Sequence, residues 1–474
     1  MLNSGKSKQL FAIFKRVNQL NCSDLLLRTI YITCFFLCLG SFLGAQNFQI
    51  PPGKKFEKIN FELINNLMIV PVEVNGAKLS FILDSGVSSP ILFNLSNQDS
   101  IQINNVSKIT LRGLGEGEPM EALRSRNNIF KIGKAANFDQ SLYVILDKDL
   151  NFSTSLGVTI HGIIGYDIFE SFVVDVNYSN NHIKLYNRKD YNKKKLEKHQ
   201  ELPLAIYNKK AFLTGAILLE DNTDVPVRLL VDTGSSDALW LFHDPEKGVK
   251  LPDKHYDDYL GKGLNGDIFG KRTKLKGVKI GDFLLKDAKA AFPFRESFSA
   301  IKNLGNRNGS LGGEVLKRFN MVFDYGNERI YLKKNSNFKT PFQYNLAGIA
   351  LQHNGLRYIS ERITDAQGVL KKGNEKDTFG NVQLLLGSQT RLSLVPEIIV
   401  SGIRAGSPAA ESGLMEGDVI LAVNGKRVHD YKLQEILSMI NQKEGRKVKL
   451  LIERYNKDLL FSFVVEDIFK EKRP

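Results

Sequence analysis

Two aspartates in this chain stand in matching surroundings. Lys78-Leu79-Ser80-Phe81-Ile82-Leu83 runs into Asp84-Ser85-Gly86, and Val227-Arg228-Leu229-Leu230-Val231 runs into Asp232-Thr233-Gly234. Each carboxyl ends an apolar strand and has a Ser-Ser pair close behind it, Ser88-Ser89 or Ser235-Ser236. One such triplet is an ordinary turn signal, because Asp, Ser, Thr and Gly all favour turns. Two of them, 148 positions apart, permit chemistry that neither could do alone. If a two-fold axis brings the loops together, carboxylates that close cannot both ionise, and the pair holds a single proton. Its two macroscopic pKa values then belong to the pair. The ionised member can take a proton from a water while the protonated member hydrogen-bonds the oxyanion that forms as the water attacks a carbonyl. Gly86 and Gly234 let the backbone approach the carboxylates, and the Ser85 and Thr233 hydroxyls can bond from one loop to the other.

The elements that would position such a pair are themselves duplicated. HGIIGYDIFESFVVDVNYSNNHIKLYN (161–187) parallels NGSLGGEVLKRFNMVFDYGNERIYLKK (308–334), with Gly162/Gly309, Gly165/Gly312, Phe172/Phe319, Tyr178/Tyr325, Asn180/Asn327, Ile183/Ile330 and Leu185/Leu332 all at an offset of 147. One net residue of insertion over so long a stretch marks an internal repeat. Each half reads as short β-branched and aromatic strands broken by Gly, Asn and Asp turns. Two strand-rich lobes are expected, over 46–190 and 202–340. The charged stretch NRKDYNKKKLEKHQE (187–201) is expected to be solvated, with 191–201 as the linker between them.

These residues resemble a known family. ILDSGVSS and LLVDTGSSDALWL are similar to the two active-site loops of pepsin/retropepsin-like aspartic peptidases, and IIG (163–165) and SLG (310–312) to the hydrophobic-hydrophobic-Gly element that braces each loop. The resemblance covers about residues 55–340. It implies a mainly β, bilobal fold with pseudo-two-fold lobes and a cleft for extended peptides. It further implies Asp84 and Asp232 as catalytic residues, and Ser85, Gly86, Thr233, Gly234, Ser235, Gly165 and Gly312 as loop support. No cofactor and no metal are implied. Gly113, Leu114 and Gly115 are the candidate flap, although no tyrosine stands there as in pepsin flaps; an ordinary glycine-rich hairpin tip is the plain alternative. Trp240, in the apolar run after the second loop, is expected to pack between elements of a lobe.

After about residue 343 the pattern changes. SPAAESGLMEGDVILAVNG (407–425) closely resembles the core of bacterial PDZ domains, which implies a small α+β, partly open barrel over 343–470. Gly417-Asp418 and Asn424-Gly425 read as tight turns around a strand. Leu433, Ile436, Leu437 and Ile440 make one stripe of an amphipathic helix over Tyr431 to Asn441. A helix beside an exposed strand edge frames a groove where a peptide can add as a strand. By the resemblance, Leu346, Ala347, Gly348 and Ile349 form the loop that receives a terminal carboxylate, so a C-terminal peptide is an expected ligand. A long polar insertion near 352–396 would reshape that groove, and a purely structural module packed on the second lobe is the alternative.

Other function classes find no support. The charge is +14, of which the first 45 residues hold four, but the basic residues are scattered and no nucleic-acid motif accompanies them. The seven histidines show no metal-ligand spacing, and all three cysteines (Cys22, Cys34, Cys38) precede residue 45, leaving no thiol for disulfides or zinc beyond it. Basic residues ahead of the apolar run Ile30 to Leu43 and the small pair Gly44-Ala45 read as a signal peptide over 1–45, directing the chain to the periplasm or another extracellular site; retention as an anchor is the rival, on a stretch shorter than the roughly 20 residues that span a bilayer. A monomer acting on peptide or protein substrates, with no nucleic acid and no remaining transmembrane span, is expected. The competing reading is a non-catalytic peptide-binding or scaffold protein of the cell envelope.

Overall fold

The computed structural model describes residues 47–95, 101–115, 117–147, 150–298, 306–363 and 389–469; the expected leader, 1–45, lies outside them. The described chain is mainly β. Inner strands of the lobes are apolar on both faces because they are covered on both. Along Leu67–Val74, Met68, Val70, Val72 and Val74 enter one core while Leu67 and Ile69 enter another. The near-continuous apolar runs of the sequence follow from that double burial.

Each lobe is built on an eight-stranded sheet. In the first the strands are, in chain order, Glu62–Ile64, Leu67–Val74, Ala77–Leu83, Ile91–Leu92, Ser107–Leu111, Met120–Ile132, Ala135–Val144 and Gly162–Ile164. In the second they are Ala205–Tyr207, Lys210–Leu218, Asp224–Val231, Leu239–Leu241, His255–Gly263, Gly266–Ile280, Phe283–Pro293 and Gly309–Leu311. Numbered within its own lobe, each sheet has the spatial order 1-2-3-8-4-7-6-5, and in each the second strand also pairs with the sixth. The internal repeat is therefore a repeat of topology.

A third sheet joins the lobes. Val173–Asn177 lies antiparallel to Phe319–Asp324, with Asp175 opposite Val322, Val174 opposite Phe323 and Val176 opposite Met321. Asp175 and Val322 are 147 positions apart, so a residue faces its own repeat equivalent. An antiparallel pair can do this only where a two-fold axis passes through it. Around the same point Phe169 of the first lobe packs on Phe323 and Tyr325 of the second, with ring centroids at 4.9 and 5.4 Å.

One outer strand of this sheet takes up Gln200 and Glu201, the last two residues of the expected linker. Gln200–Pro203 is a strand paired with Arg329–Lys334, as Phe56–Asn60 is paired with His182–Tyr186. The sheet edge needs a partner for its backbone groups in each half, and the polar sequence supplies one with only Leu202 packed against the core. Before it, Tyr191 and Leu196 pack on Val173, Tyr186, Val322 and Tyr331. The charged segment runs along the sheet on these two side chains, while Arg188, Lys189, Lys193, Lys194, Lys195, Glu197 and Lys198 stay exposed to solvent.

The C-terminal module has its own core. Strands Ile349–Ile363, Gln389–Ile403, Val419–Val423, Lys447–Arg454 and Lys457–Val464 follow one another in a sheet, with Ile349–Ile363 at its edge. The helix spans Leu433–Ile440 and sends Leu433, Ile436 and Ile440 into that core. Asn424 and Gly425 take φ of +53° and +80° at the turn after Val419–Val423, which is why those residue types stand there. The expected insertion lengthens the first two strands into a paired ribbon, and its centre, 364–388, lies outside the described residues.

Phe169→Ala should cost about 3–5 kcal/mol, because it opens a cavity where the two lobes share a core. Urea denaturation followed by fluorescence checks the value; a change below about 1 kcal/mol would show that the lobes do not depend on this contact.

Candidate active site

Each active loop starts where a strand runs parallel to the last strand of its lobe. Leu83 lies opposite Ile164, and the Asp84 N–H donates to the Ile164 carbonyl at 2.8 Å. Val231 lies opposite Leu311, and the Asp232 N–H donates to the Leu311 carbonyl at 3.0 Å. Gly165 and Gly312 follow these pairings. A Cβ on Gly165 would sit 1.7 Å from the Asp84 carbonyl oxygen, and one on Gly312 would sit 2.2 Å from that of Asp237. Both must be glycine for the loops to close. Ser235 anchors the second loop, its N–H donating to the Asp232 carbonyl at 3.3 Å and its carbonyl accepting from the Gly313 N–H at 2.7 Å.

The two aspartates meet. Gly86 of the first loop is equidistant from both, for a Cβ there would be 3.1 Å from Oδ1 of Asp84 and from Oδ1 of Asp232. A Cβ on Gly234 of the second loop would stand 2.2 Å from Cγ of Asp84. Each glycine therefore lies over the other lobe's carboxyl. The Gly86 N–H also donates to Asp84 Oδ1 at 2.6 Å.

Beneath them the loops are tied by four crossed hydrogen bonds. The Ser85 N–H donates to Thr233 Oγ1 at 2.9 Å, and the Thr233 N–H donates to Ser85 Oγ at 3.1 Å. Ser85 Oγ donates to the Val231 carbonyl at 2.6 Å, and Thr233 Oγ1 donates to the Leu83 carbonyl at 2.7 Å. Ser85 and Thr233 are both wholly buried. Two type I′-like turns reach across as well. At Asn65-Asn66 the Asn66 amide donates to the Ser236 carbonyl at 2.7 Å, and at Asn208-Lys209 the Asn208 carbonyl accepts from Ser88 Oγ at 3.3 Å.

Electrostatics make the two carboxyls unequal. Burial, then the charge of Asp232, pushes Asp84 up to about 7, against the pull of the Gly86 N–H and Lys210. Burial also raises Asp232, but Arg307 and Lys210 draw it back and favour its charged form. Arg307 acts on Asp232 and is not among the causes at Asp84, so it favours the charge on Asp232. Lys210 and Arg307 are not marked by any motif, and Arg307 owes its place to hydrogen bonds to the Gly309 carbonyl, at 2.9 Å, and to Ser310. Its repeat equivalent is Ile160, so the asymmetry is visible once the halves are aligned. A further buried set braces the second loop. Asp237 is bound by Arg272 at 2.8 Å, by the Trp240 indole at 2.8 Å and by Lys289 at 3.4 Å, and Lys289 also meets Glu314 at 2.5 Å. Burial pushes Asp237 up, and Arg272 and Lys289 outweigh it, holding the carboxyl at about 2.

The candidate flap joins the strands Ser107–Leu111 and Met120–Ile132, and it does not stand alone. It meets the equivalent hairpin of the second lobe, between His255–Gly263 and Gly266–Ile280. Asn265 at that tip clasps it: the side-chain oxygen accepts from the Gly113 N–H, the side-chain amide donates to the Glu118 carbonyl at 2.5 Å, and the backbone exchanges hydrogen bonds with Leu114 at 2.9 Å and Gly117 at 2.6 Å. The Gly115 N–H donates to the Ser297 carbonyl at 2.9 Å. Leu114 packs beside Trp240, Leu260 and Ile268. The signal for this partner was present as a second Gly-Leu, Gly263-Leu264, against Gly113-Leu114. No group of His, Cys, Asp and Glu among the described residues could hold a metal ion.

Two family models fit this arrangement. Residues 70–168, which carry Asp84 and Gly165, match the model described as an aspartyl protease, and residues 399–454 match the one described as a PDZ domain. The chain joins an aspartyl protease domain to a PDZ domain. The carboxy-terminal processing protease CtpA of Bacillus subtilis (strain 168) is 44% identical over 57 residues, a match that spans 12% of this chain and 12% of that protein. Among the described residues no helix is long and apolar enough to cross a membrane.

In the aspartyl protease domain, Thr233→Val should lower stability by about 2–4 kcal/mol, since it strands the buried Ser85 N–H and Leu83 carbonyl; urea denaturation measures this, and a loss under about 0.5 kcal/mol would show the crossed bonds to be incidental. Asp84 binds its proton more tightly folded than unfolded. Its charged form therefore destabilises the fold, and that penalty grows as pH rises from the ordinary carboxylate value to about 7 and stays constant above. Asp84→Asn should accordingly raise the melting temperature more at pH 8 than at pH 4, and an equal effect at both would refute the buried-proton account.

Proposed function

We propose that this protein is an exported aspartic endopeptidase whose PDZ domain brings it protein substrates. The observation that carries the reading is the meeting of two unequal carboxyls over crossed hydrogen bonds at a two-fold axis. Asp232, drawn toward its charged form by Arg307 and Lys210, is the base that takes a proton from a water. Asp84, holding the shared proton, donates a hydrogen bond to the carbonyl oxygen under attack and stabilises the oxyanion. The proton gained by Asp232 passes to the departing amine as the C–N bond breaks, and the pair returns to its singly protonated state. The substrate lies extended beneath the paired hairpins, which close over it and exclude water. Export is supported by the basic, apolar and small-residue order of the first 45 residues.

Asp84→Asn and Asp232→Asn should each reduce cleavage of an unfolded protein, such as reduced and alkylated casein, by at least about 1,000-fold while the fold persists. Gel and mass-spectrometric readout of products tests this, and full activity in either variant refutes the reading. Wild-type activity should fall as pH rises through about 7, where Asp84 loses the shared proton. A rate that holds level to pH 9 would assign the chemistry to other groups.

A further inference from the structure

The loop expected to receive a terminal carboxylate is already hydrogen-bonded by the chain itself. The Ala347 N–H donates to Asn441 Oδ1 at 2.9 Å, and the Gly348 and Ile349 N–H groups both donate to Asn345 Oδ1 at 3.0 and 3.2 Å. Two amide oxygens thus accept from three successive backbone N–H groups, the number and kind of donors that bind a carboxylate. Each asparagine is held in that pose by its own amide, Asn345 to the Ile349 carbonyl at 3.0 Å and Asn441 to the Leu437 carbonyl at 3.1 Å. Arg404 adds positive charge beside the loop. Its backbone N–H donates to the Gly348 carbonyl at 2.8 Å, and its Nε is buried without a partner among the described residues.

The other end of the same groove is filled from the first lobe. The helix Ser153–Leu156 ends at Gly157, which sits between the edge strand and the helix of the PDZ domain: a Cβ there would be 3.1 Å from Leu433 Cβ and 3.3 Å from His353 Nε2. Gln434 donates to the Leu156 carbonyl at 2.8 Å, and Lys432 pairs with Glu62. A peptide laid antiparallel to Ile349–His353 with its carboxylate at the loop would meet Gly157 after about four residues at strand spacing.

We propose that the PDZ groove is self-liganded, and that it accepts a foreign chain terminus only in competition with these residues. Asn345 and Asn441 stand where a free carboxylate would bind, and Leu156-Gly157 limits the bound length to about four residues. A longer peptide must lift the module from the first lobe, so that ligand length and detachment from the protease domain are linked. The partner is a polypeptide with a free C-terminus. This inference rests on the reading of the module as a substrate recruiter.

The test uses the full chain carrying Asp232→Asn, so that the probes survive. Pools of tetrapeptides and decapeptides randomised at their last four positions, with free or amidated C-termini, are captured on immobilised protein and quantified by mass spectrometry. Free acids should be captured over amides. Asn345→Ala with Asn441→Ala should raise capture of both free-acid pools about ten-fold, the equivalent of one or two hydrogen bonds. Asn441→Asp, which keeps the side chain's shape and supplies a resident carboxylate, should lower it by a similar factor. Lys432→Ala with Gln434→Ala should raise capture of decapeptides alone. Bound decapeptides should also speed hydrogen exchange at residues 152–158. Equal capture by the parent and all the variants overturns self-liganding while leaving recruitment intact. Should no variant capture any pool, self-liganding and the recruiter role are both overturned, whereas casein cleavage by the wild type would still stand.

Discussion

Two carboxyl groups are held in a site too dry for both to be charged, and the rest of the molecule is arranged around that constraint. Separating them would be the easy electrostatic solution, because like charges at short range repel strongly away from water. What prevents it is the set of crossed bonds between Ser85 and Thr233 and the strands of the opposite loop. Each of those donors and acceptors is buried, so breaking the crossing strands them at a cost of about 1–3 kcal/mol apiece. The pair cannot drift apart without unmaking the base on which it stands. Retaining one proton is the cheaper way out, and it leaves one carboxyl able to donate a hydrogen bond and the other able to accept one.

The same axis organises features far from the carboxyls. It passes between Asp175 and Val322 in the joining sheet, through the crossed loops, and out between the paired hairpin tips where Asn265 clasps Gly113 to Gly117. Symmetry builds the site, but useful chemistry needs the halves to differ. Arg307 faces Ile160 in the repeat, and the Arg272, Lys289 and Glu314 that brace the second loop fall on Ser125, Leu142 and Asp167. The second half therefore carries Arg307 and Lys210, which favour the charged form of Asp232 against its burial.

Both places where this protein would hold a peptide are closed by its own residues. Over the carboxyls the hairpin tips exchange backbone hydrogen bonds, and at the PDZ loop two asparagines occupy the backbone donors. Hydrogen bonds of this kind contribute about 1 kcal/mol net each, because water replaces them when they open. Such closures are therefore stable enough to define a resting state and weak enough for a substrate to displace. The segment Leu156-Gly157 connects the two regions physically, since it belongs to the first lobe and abuts the PDZ groove.

What the amino-acid order determined by itself is whatever repeats or is locally encoded. The doubled Asp-Ser/Thr-Gly, the 147-residue offset, the glycines at 165 and 312 and the Asn-Gly turn at 424 each impose a local geometry on any fold that contains them. Aligning the halves also implied equivalent strands, and the two sheets do share one order. Aligning the halves sets Arg307 against Ile160 and shows a second Gly-Leu ahead of Asn265, but an isolated Lys210, Arg307 or Asn265 carries no sign of what it touches, and only long-range packing brings them to the carboxyls and the flap. Gln200 and Glu201 read as the end of a linker because they are polar; the sheet edge, with backbone groups to satisfy, takes them into a strand with Leu202 and Pro203. The occupancy of the PDZ loop was likewise a tertiary decision, since Asn345 and Asn441 are 96 positions apart and meet only when the helix packs against the edge strand. Local preference can name the parts, but hydrogen-bond satisfaction and charge compensation act between surfaces, and surfaces exist only once the chain has folded.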